Sequence, residues 1–320
     1  MTAPKRLAVA APVVAAHPGL RAEIEKGFGN VRFNDTGRRL EGGELAQFLT
    51  GCDAAIVSLE RIDDALLAAA PSLRTISKYG VGLDRVDLDA MTRRGIRIGW
   101  TGGANARSVA ELALALILAC LRFLPQASAD LREGRWTPRR GRTLDGRTVG
   151  LVGCGHIGQS LGRMLRLLGN RVLAYDQRQL PEFCAETGVG QVDLEALLAE
   201  ADIVSLHLPE TPHTTGVIDA ARIGRMKPGA ILINTARGGL VDMEALKQAL
   251  REQRLAGAAF DTFDPEPPTD KELLALPGFI ATPHIGGSTV EAAMACGRAA
   301  IAGLSEARLP AEIVPSWNWR

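Results

Sequence analysis

The stretch TVGLVGCGHIGQSLG, residues 148–162, constrains the fold of this chain more than any other. An apolar β-like run leads into three glycines, Gly153, Gly155 and Gly158, which open a helical pattern. Such a strand–turn–helix lets backbone approach a pyrophosphate at a helix N-terminus, where free amides and the helix dipole favour anions. Asp176 ends the next β-like run, 18 residues after Gly158. A carboxylate there accepts hydrogen bonds from an adenosine ribose and repels a 2′-phosphate. NAD is therefore the expected cofactor, while Arg178 keeps NADP open. The plain alternative is a structural βα turn with a chance acid beside it.

The turn sits mid-chain, with a long segment before it and another after. A length of 320 residues exceeds one comfortable core, so two domains are expected. Short apolar runs alternate with helical patterns on both sides of residue 100, the signature of parallel α/β architecture. Strands are expected at LAVAAPV, VRF, AAIVS, RTISKYG and GIRIG, then at TVGLVG, RVLAYD, DIVSLHLP, GAILINTAR, LAGAAFDTF and GFIATPH. A helix is expected over Ser108 to Leu124 and another over TVEAAMACGRAAIAGLSEA, with an exposed loop over 132–147.

A net charge of +1 offers no electrostatic footprint for nucleic acid or an anionic membrane, and neither partner is expected. The ten apolar residues Leu112 to Leu121 are too few for a bilayer core of about 30 Å and suit a buried helix. MTAPKRLAVAAPVVAA resembles a weak signal peptide but reads equally well as a first strand. Five cysteines without C-x-x-C spacing suit reduced thiols in a cytoplasmic protein, and no metal set is expected.

Three polar residues follow strands of the second series: Arg237 in ILINTARGGLVD, Glu266 in FDTFDPEPP and His284 in FIATPHIGGST. Ligands of open parallel sheets bind outside the carboxyl ends of the strands, so these residues and the glycine turn share one edge. Arg237 offers a planar fork for a carboxylate or carbonyl. His284 carries an imidazole, the side chain best suited to exchange a hydroxyl proton. Glu266 can hydrogen-bond the imidazole and favour its protonated form. Singly, a surface arginine, a solvated acidic loop with Asp264 and Asp270, and a loop histidine serve as well. His207 ends a strand without an evident acidic partner, and His17 and His213 look like loop residues. In the first half, KYGVGLDRVD (78–87) ends a strand in Gly80, Val81 and Gly82, whose bare amides form either a small carboxylate-binding nest or a tight turn.

KYGVGLDRVD, NARSVAELALAL, GLVGCGHIG with Asp176, LHLPETPHTTGVI, MKPGAILINTARGGLVD, FDTFDPEP and TPHIGGST together resemble the D-isomer-specific 2-hydroxyacid dehydrogenase family, in particular its phosphoglycerate dehydrogenase-like branch. The resemblance runs over nearly the whole chain. It implies two Rossmann/flavodoxin-like parallel-sheet α/β domains, with an NAD-binding domain at 103–287 inserted into a substrate domain made of 1–102 and 288–320. Catalysis would occur in a cleft that closes over the ligands. Arg237 matches the substrate-orienting arginine, Glu266 the partner carboxylate and His284 the acid/base. Gly80, Val81 and Gly82 match the loop for the substrate carboxylate, which Arg237 and His284 also face. His156 and Ile157 match residues over the pyrophosphate, and Asp176 the ribose ligand. Leu208, Pro209, Thr235, Ala236, Asp261 and Gly287 match further cofactor contacts. A homodimer is implied, with the apolar helix after NARSVAE in the interface.

The chain departs from the family in places. Trp100-Thr101-Gly102-Gly103 stands where many relatives read NTPG, and Ser58 where phosphoglycerate enzymes carry an arginine, with Arg61 three residues on. Ending at Arg320, the chain is expected to lack the regulatory domains of some phosphoglycerate dehydrogenases. The function expected is NAD-dependent, reversible hydride transfer at C2 of a small D-2-hydroxyacid or 2-oxoacid, phosphoglycerate among the candidates. The rival expectations are a formate or phosphite dehydrogenase on the same fold, and an NAD(H)-sensing corepressor-like protein.

Overall fold

The two series of apolar runs become two all-parallel sheets in the computed structural model, which describes residues 4–313. Residues 1–3 and 314–320, part of the substrate domain expected from the resemblance, lie outside the described residues. The chain divides into two compact units, one running up to Asn105 and resuming at Val290, the other spanning Ala106–Thr289.

In the first unit, β1 (Leu7–Val9), β2 (Val31–Phe33), β3 (Ala54–Val57), β4 (Thr75–Lys78) and β5 (Arg97–Gly99) form a sheet of order β2-β1-β3-β4-β5. Every residue of β1, β3 and β4 is buried. Helices cover both faces, which is why these strands read as unbroken apolar runs rather than alternating ones. The run LAVAAPV was expected to be one strand. It stops at Val9, and Pro12 starts a helix, Pro12–Ala15, where its missing N–H costs nothing. The helix Val290–Glu306 returns to this unit and packs on β4 and β5. The contact is close: a Cβ on Gly99 would lie 2.2 Å from the Gly303 carbonyl oxygen, and the Ser77 hydroxyl donates to Ala300 O at 2.6 Å.

In the second unit, β6 (Thr148–Val152), β7 (Arg171–Tyr175), β8 (Gly190–Gln191), β9 (Ile203–Leu206), β10 (Ala230–Asn234), β11 (Leu255–Phe260) and β12 (Phe279–Ala281) form a sheet of order β12-β11-β10-β9-β6-β7-β8. The period of two splits β10 between two cores. Ala230 and Leu232 join one with Leu197, Val204 and Phe260, while Ile231 and Ile233 join the other with Leu151, Ile203 and Ala259. The second of these cores is closed by the helix Ala106–Arg122. The helix expected over Ser108–Leu124 breaks at Phe123, whose φ is +54°, and a second helix runs Leu124–Arg132 at 61° to the first. Pro125 accounts for the break, because it has no N–H to continue the first helix and is tolerated in the first turn of the second. No single helix among the described residues is long and apolar enough to cross a membrane.

Several aspartates are used locally. Asp63, Asp87, Asp193, Asp219, Asp242 and Asp270 are N-caps, each accepting the N–H three residues on. Asp270, grouped by sequence with a solvated acidic loop, is thus a helix cap bonded to Lys247. His17 also caps a helix: its Nδ1 accepts from Leu20 N at 3.3 Å.

Candidate functional site

The order of the larger sheet changes direction between β6 and β9, and the glycine turn follows β6 at that point. Gly153 has φ +91°, and a Cβ there would meet the His207 carbonyl carbon at 2.7 Å. Gly158 opens the packing of the helix His156–Leu167, since a Cβ on it would lie 2.4 Å from Gly153 O. Gly155 is the N-cap and differs from both: the only atom near a Cβ there would be Arg178 Nη2, at 4.0 Å. The turn is closed below and open above, a cradle that backbone alone can line. His156 is exposed on the first helical turn, and Ile157 packs against the core beside it. Cys154 is buried, its thiol pushed up to about 12 by that burial, so it is a packing residue and no nucleophile.

Asp176 follows β7 and ties the neighbourhood together. It accepts Cys154 N at 2.9 Å, Arg178 N at 2.9 Å and Arg178 Nε at 3.0 Å. Burial opposes its charge, but the Arg178 side chain, the Arg178 amide and the Cys154 amide outweigh it and hold the carboxyl below the usual range. The ribose expectation is thus compatible with an ionised acid whose present partner is a cation.

Beyond β9, β10 and β11 lie buried polar atoms that find no protein partner. They are His207 Nδ1, Thr235 Oγ1 and Thr262 Oγ1. Unsatisfied buried polar groups are rare and point to a ligand or water. Their position at the carboxyl edge is where a dinucleotide lies in such sheets, so the donor set fits the group that the glycine turn implies. Thr235 was anticipated, whereas Thr262 was not, and the only signal available was its place just past a strand. Leu208 and Pro209 are half-buried in the same segment, and Thr214 Oγ1 donates to Pro209 O at 2.7 Å.

His207 bonds Ser205 Oγ through Nε2 at 2.9 Å, and burial pushes its pKa down to about 4 from an ordinary 6.5. The folded ring therefore stays neutral while the unfolded chain takes up a proton below 6.5. Stability is complete above that value and is lost as pH falls towards 4, by about 3 kcal/mol in all. Urea unfolding of the ligand-free protein at pH 7 and pH 5 should show a steeper loss in wild type than in His207→Gln. Equal losses would refute this.

Arg237 follows β10 on a turn built by Asn234, a fully buried residue not singled out in the sequence. Its Oδ1 accepts Ala236 N at 3.0 Å and its Nδ2 donates to Arg237 O at 2.8 Å. The next residue, Gly238, presses on the segment Phe263–Asp264: a Cβ there would lie 2.4 Å from Phe263 C. That contact brings the arginine turn against the loop carrying Glu266. Arg237 Nη1 donates to Ala236 O at 2.7 Å.

Glu266 and His284 meet. His284 Nδ1 lies 2.9 Å and 3.0 Å from the two carboxylate oxygens, and Phe263 N donates to Oε1 at 3.1 Å. Both side chains are exposed, so the ring stays accessible. His284 has φ +53°, a conformation that non-glycine residues hold only when their surroundings impose it. The cause is visible in Asp261. This buried carboxylate accepts Thr282 Oγ1 at 2.6 Å, Ile285 N at 2.8 Å and Gly286 N at 2.8 Å, gathering the loop on both sides of the histidine. Asp261 therefore anchors the loop, whatever it offers a cofactor. Gly287 follows, half-buried.

In the other unit, Gly80 (φ +89°), Val81 and Gly82 follow β4. The Val81 and Gly82 amides donate no hydrogen bond among the described residues. Ser58, past β3, gives its N–H to Glu60, which is fully buried, and Lys78 Nζ donates to Ser58 O and Tyr79 O. A cavity of about 630 Å³ in this unit is lined by Trp100, Arg308, Leu309 and Ile313 among others, and by none of the candidate catalytic residues.

Residues 114–286 match the family model described as "D-isomer specific 2-hydroxyacid dehydrogenase, NAD binding domain". Over 263 residues the chain is 40% identical to hydroxypyruvate reductase of Thermotoga maritima, covering 80% of this chain and 85% of that one. It is 44% identical over 243 residues to D-3-phosphoglycerate dehydrogenase of Mycobacterium tuberculosis, covering 75% of this chain but 46% of the relative, so it spans about half of that protein's length. Among solved structures, the TT0316 protein of Thermus thermophilus superposes with a TM-score of 0.82 at 38% identity, over 93% of this chain and 94% of that one.

Proposed function

The chain belongs to the D-isomer-specific 2-hydroxyacid dehydrogenase family, and from that premise we propose that it catalyses NAD-dependent, reversible hydride transfer at C2 of a small, unphosphorylated D-2-hydroxyacid or its 2-oxoacid. The observation that carries this is the exposed His284–Glu266 pair on the sheet edge that also holds the open glycine turn.

NAD, when bound, takes up or supplies the hydride. Gly153, Gly155 and Gly158, with the amides of His156 and Ile157, would hold its pyrophosphate at the helix N-terminus. Asp176 would hold the adenosine ribose, and Leu208, Pro209, Thr235, Ala236 and Gly287 would line the rest. A carboxylate only accepts, so Nδ1 of His284 carries the proton that faces Glu266, and Nε2 is left to exchange one with the substrate oxygen. Glu266 thereby fixes the tautomer and steadies the imidazolium formed when the hydroxyl proton is taken. Arg237 offers its guanidinium to the substrate's oxygens, and the Val81 and Gly82 amides take the carboxylate. Ser58, standing where phosphoglycerate enzymes carry an arginine, supports an unphosphorylated substrate, because a hydroxyl supplies no guanidinium fork for a phosphate. Homodimeric assembly and a cytoplasmic site of action accompany the same reading, and light scattering of the purified chain checks the first.

The test is NADH oxidation by the purified protein across glyoxylate, hydroxypyruvate, pyruvate and 3-phosphohydroxypyruvate, with formate and phosphite assayed as donors. The expected result is turnover of unphosphorylated 2-oxoacids in preference to the phosphorylated one. Retained NADH binding without turnover of any of them would favour a nucleotide sensor.

A further inference from the structure

We propose that Trp100 is a positioning residue that aims the Gly82 amide at the substrate carboxylate. The proposal rests on the function given above and adds a residue that stands where many relatives carry the Asn of NTPG. Trp100 Nε1 donates to Val81 O at 3.0 Å, reaching from the end of β5 to the turn after β4. A peptide unit is planar, and the Val81 carbonyl and the Gly82 N–H belong to one such unit and point in opposite directions. A donor that holds the carbonyl therefore also sets the direction of the N–H.

The turn needs such a constraint. Gly80 and Gly82 flank Val81, and glycine backbone has wide conformational freedom. Nothing lies within 4 Å of a Cβ built on Gly80, so packing does not restrict the turn on that side. Its base is rigid by contrast. Tyr79 N donates to Val57 O at 2.8 Å, and Ser77 and Gly99 are locked on the helix Val290–Glu306 through Ala300 and Gly303. The indole packs against the core cluster containing Val57, Ile62 and Val86. Trp100 thus leaves from a fixed strand, is wedged by that core and places its single donor on the one carbonyl whose orientation matters.

Trp100→Phe keeps the ring and removes the donor. The expected result is a KM for the 2-oxoacid and an inhibition constant for oxamate both raised about fivefold to tenfold, the loss of one hydrogen bond's worth of order. kcat at saturation, NADH affinity and the melting temperature should stay close to wild type, which a merely structural role would not produce. Unchanged KM and oxamate affinity would overturn the proposal. A second measurement needs no variant: the Trp100 indole N–H should exchange with solvent far more slowly than that of Trp136, which is 81% exposed. Equal exchange would also overturn it. A wild-type protein that neither reduces a 2-oxoacid nor binds oxamate would overturn the functional reading and this inference together. A wild type that does both, matched by Trp100→Phe, would overturn only this one.

Discussion

Replacing His284 by alanine is expected to lower kcat by roughly 10²–10⁴-fold, the contribution of a positioned general acid or base. NADH affinity, read by fluorescence titration, should change little. The glycine turn, the helix N-terminus and Asp176, proposed to hold the dinucleotide, are all built without this side chain. The backbone needs a control, because His284 sits at φ +53° and any replacement inherits that conformation. Asparagine tolerates positive φ better than alanine does. Equal loss of turnover in His284→Asn and His284→Ala would therefore assign the effect to the imidazole rather than to a relaxed loop. Near-normal turnover in either variant would remove His284 from the chemistry. Thr282, Ile285 and Gly286 still bond Asp261 in both variants, so the loop should remain folded.

Asp176→Ala is expected to reverse coenzyme preference. Three changes act in the same direction. The substitution deletes an acceptor for the ribose hydroxyls, deletes the negative charge that repels a 2′-phosphate, and releases Arg178 from a carboxylate that now holds its amide and its guanidinium. Charge-assisted hydrogen bonds are each worth about 1.5–3 kcal/mol, so the ratio of kcat/KM for NADH over NADPH should fall by about 10². An unchanged ratio, measured with the best 2-oxoacid from the substrate panel, would refute the ribose role. The variant also leaves Cys154 N without its acceptor in a part-buried turn, so a loss of stability of about 1–3 kcal/mol should accompany the switch. Thermal melts with and without cofactor separate the two effects.

The parts of this site that were legible are those encoded within a few residues. Gly153, Gly155 and Gly158 follow an apolar run and open a helix because backbone geometry demands glycine at one φ and one close contact. Arg237, Glu266 and His284 were placed on one edge by a rule of parallel sheets that needs only the strand assignments. The break at Phe123 was readable too, since Pro125 announces it, although the apolar pattern carried the expected helix past it.

What was not legible depends on partners distant in sequence. Asp261 was expected beside a cofactor, but its carboxylate anchors Thr282, Ile285 and Gly286, which requires β11 and β12 to lie side by side in a particular register. Thr262 carries no pattern that separates it from any other threonine after a strand, and only its buried, unpartnered hydroxyl marks it. Trp100 was visible as a departure, yet its meaning lies in a bond to Val81, nineteen residues away along the chain.

The sequence by itself determined a parallel α/β chain with a dinucleotide turn in its middle and an arginine, a glutamate and a histidine past three strand ends. Periodicity and glycine geometry are local properties, written in windows of a few residues. Only the tertiary structure decided that Glu266 meets His284, that Asp261 holds the histidine loop at positive φ, and that Trp100 reaches the Val81 carbonyl. Those pairings follow from strand order and register, which the packing of whole sheets against their helices selects and no single window contains.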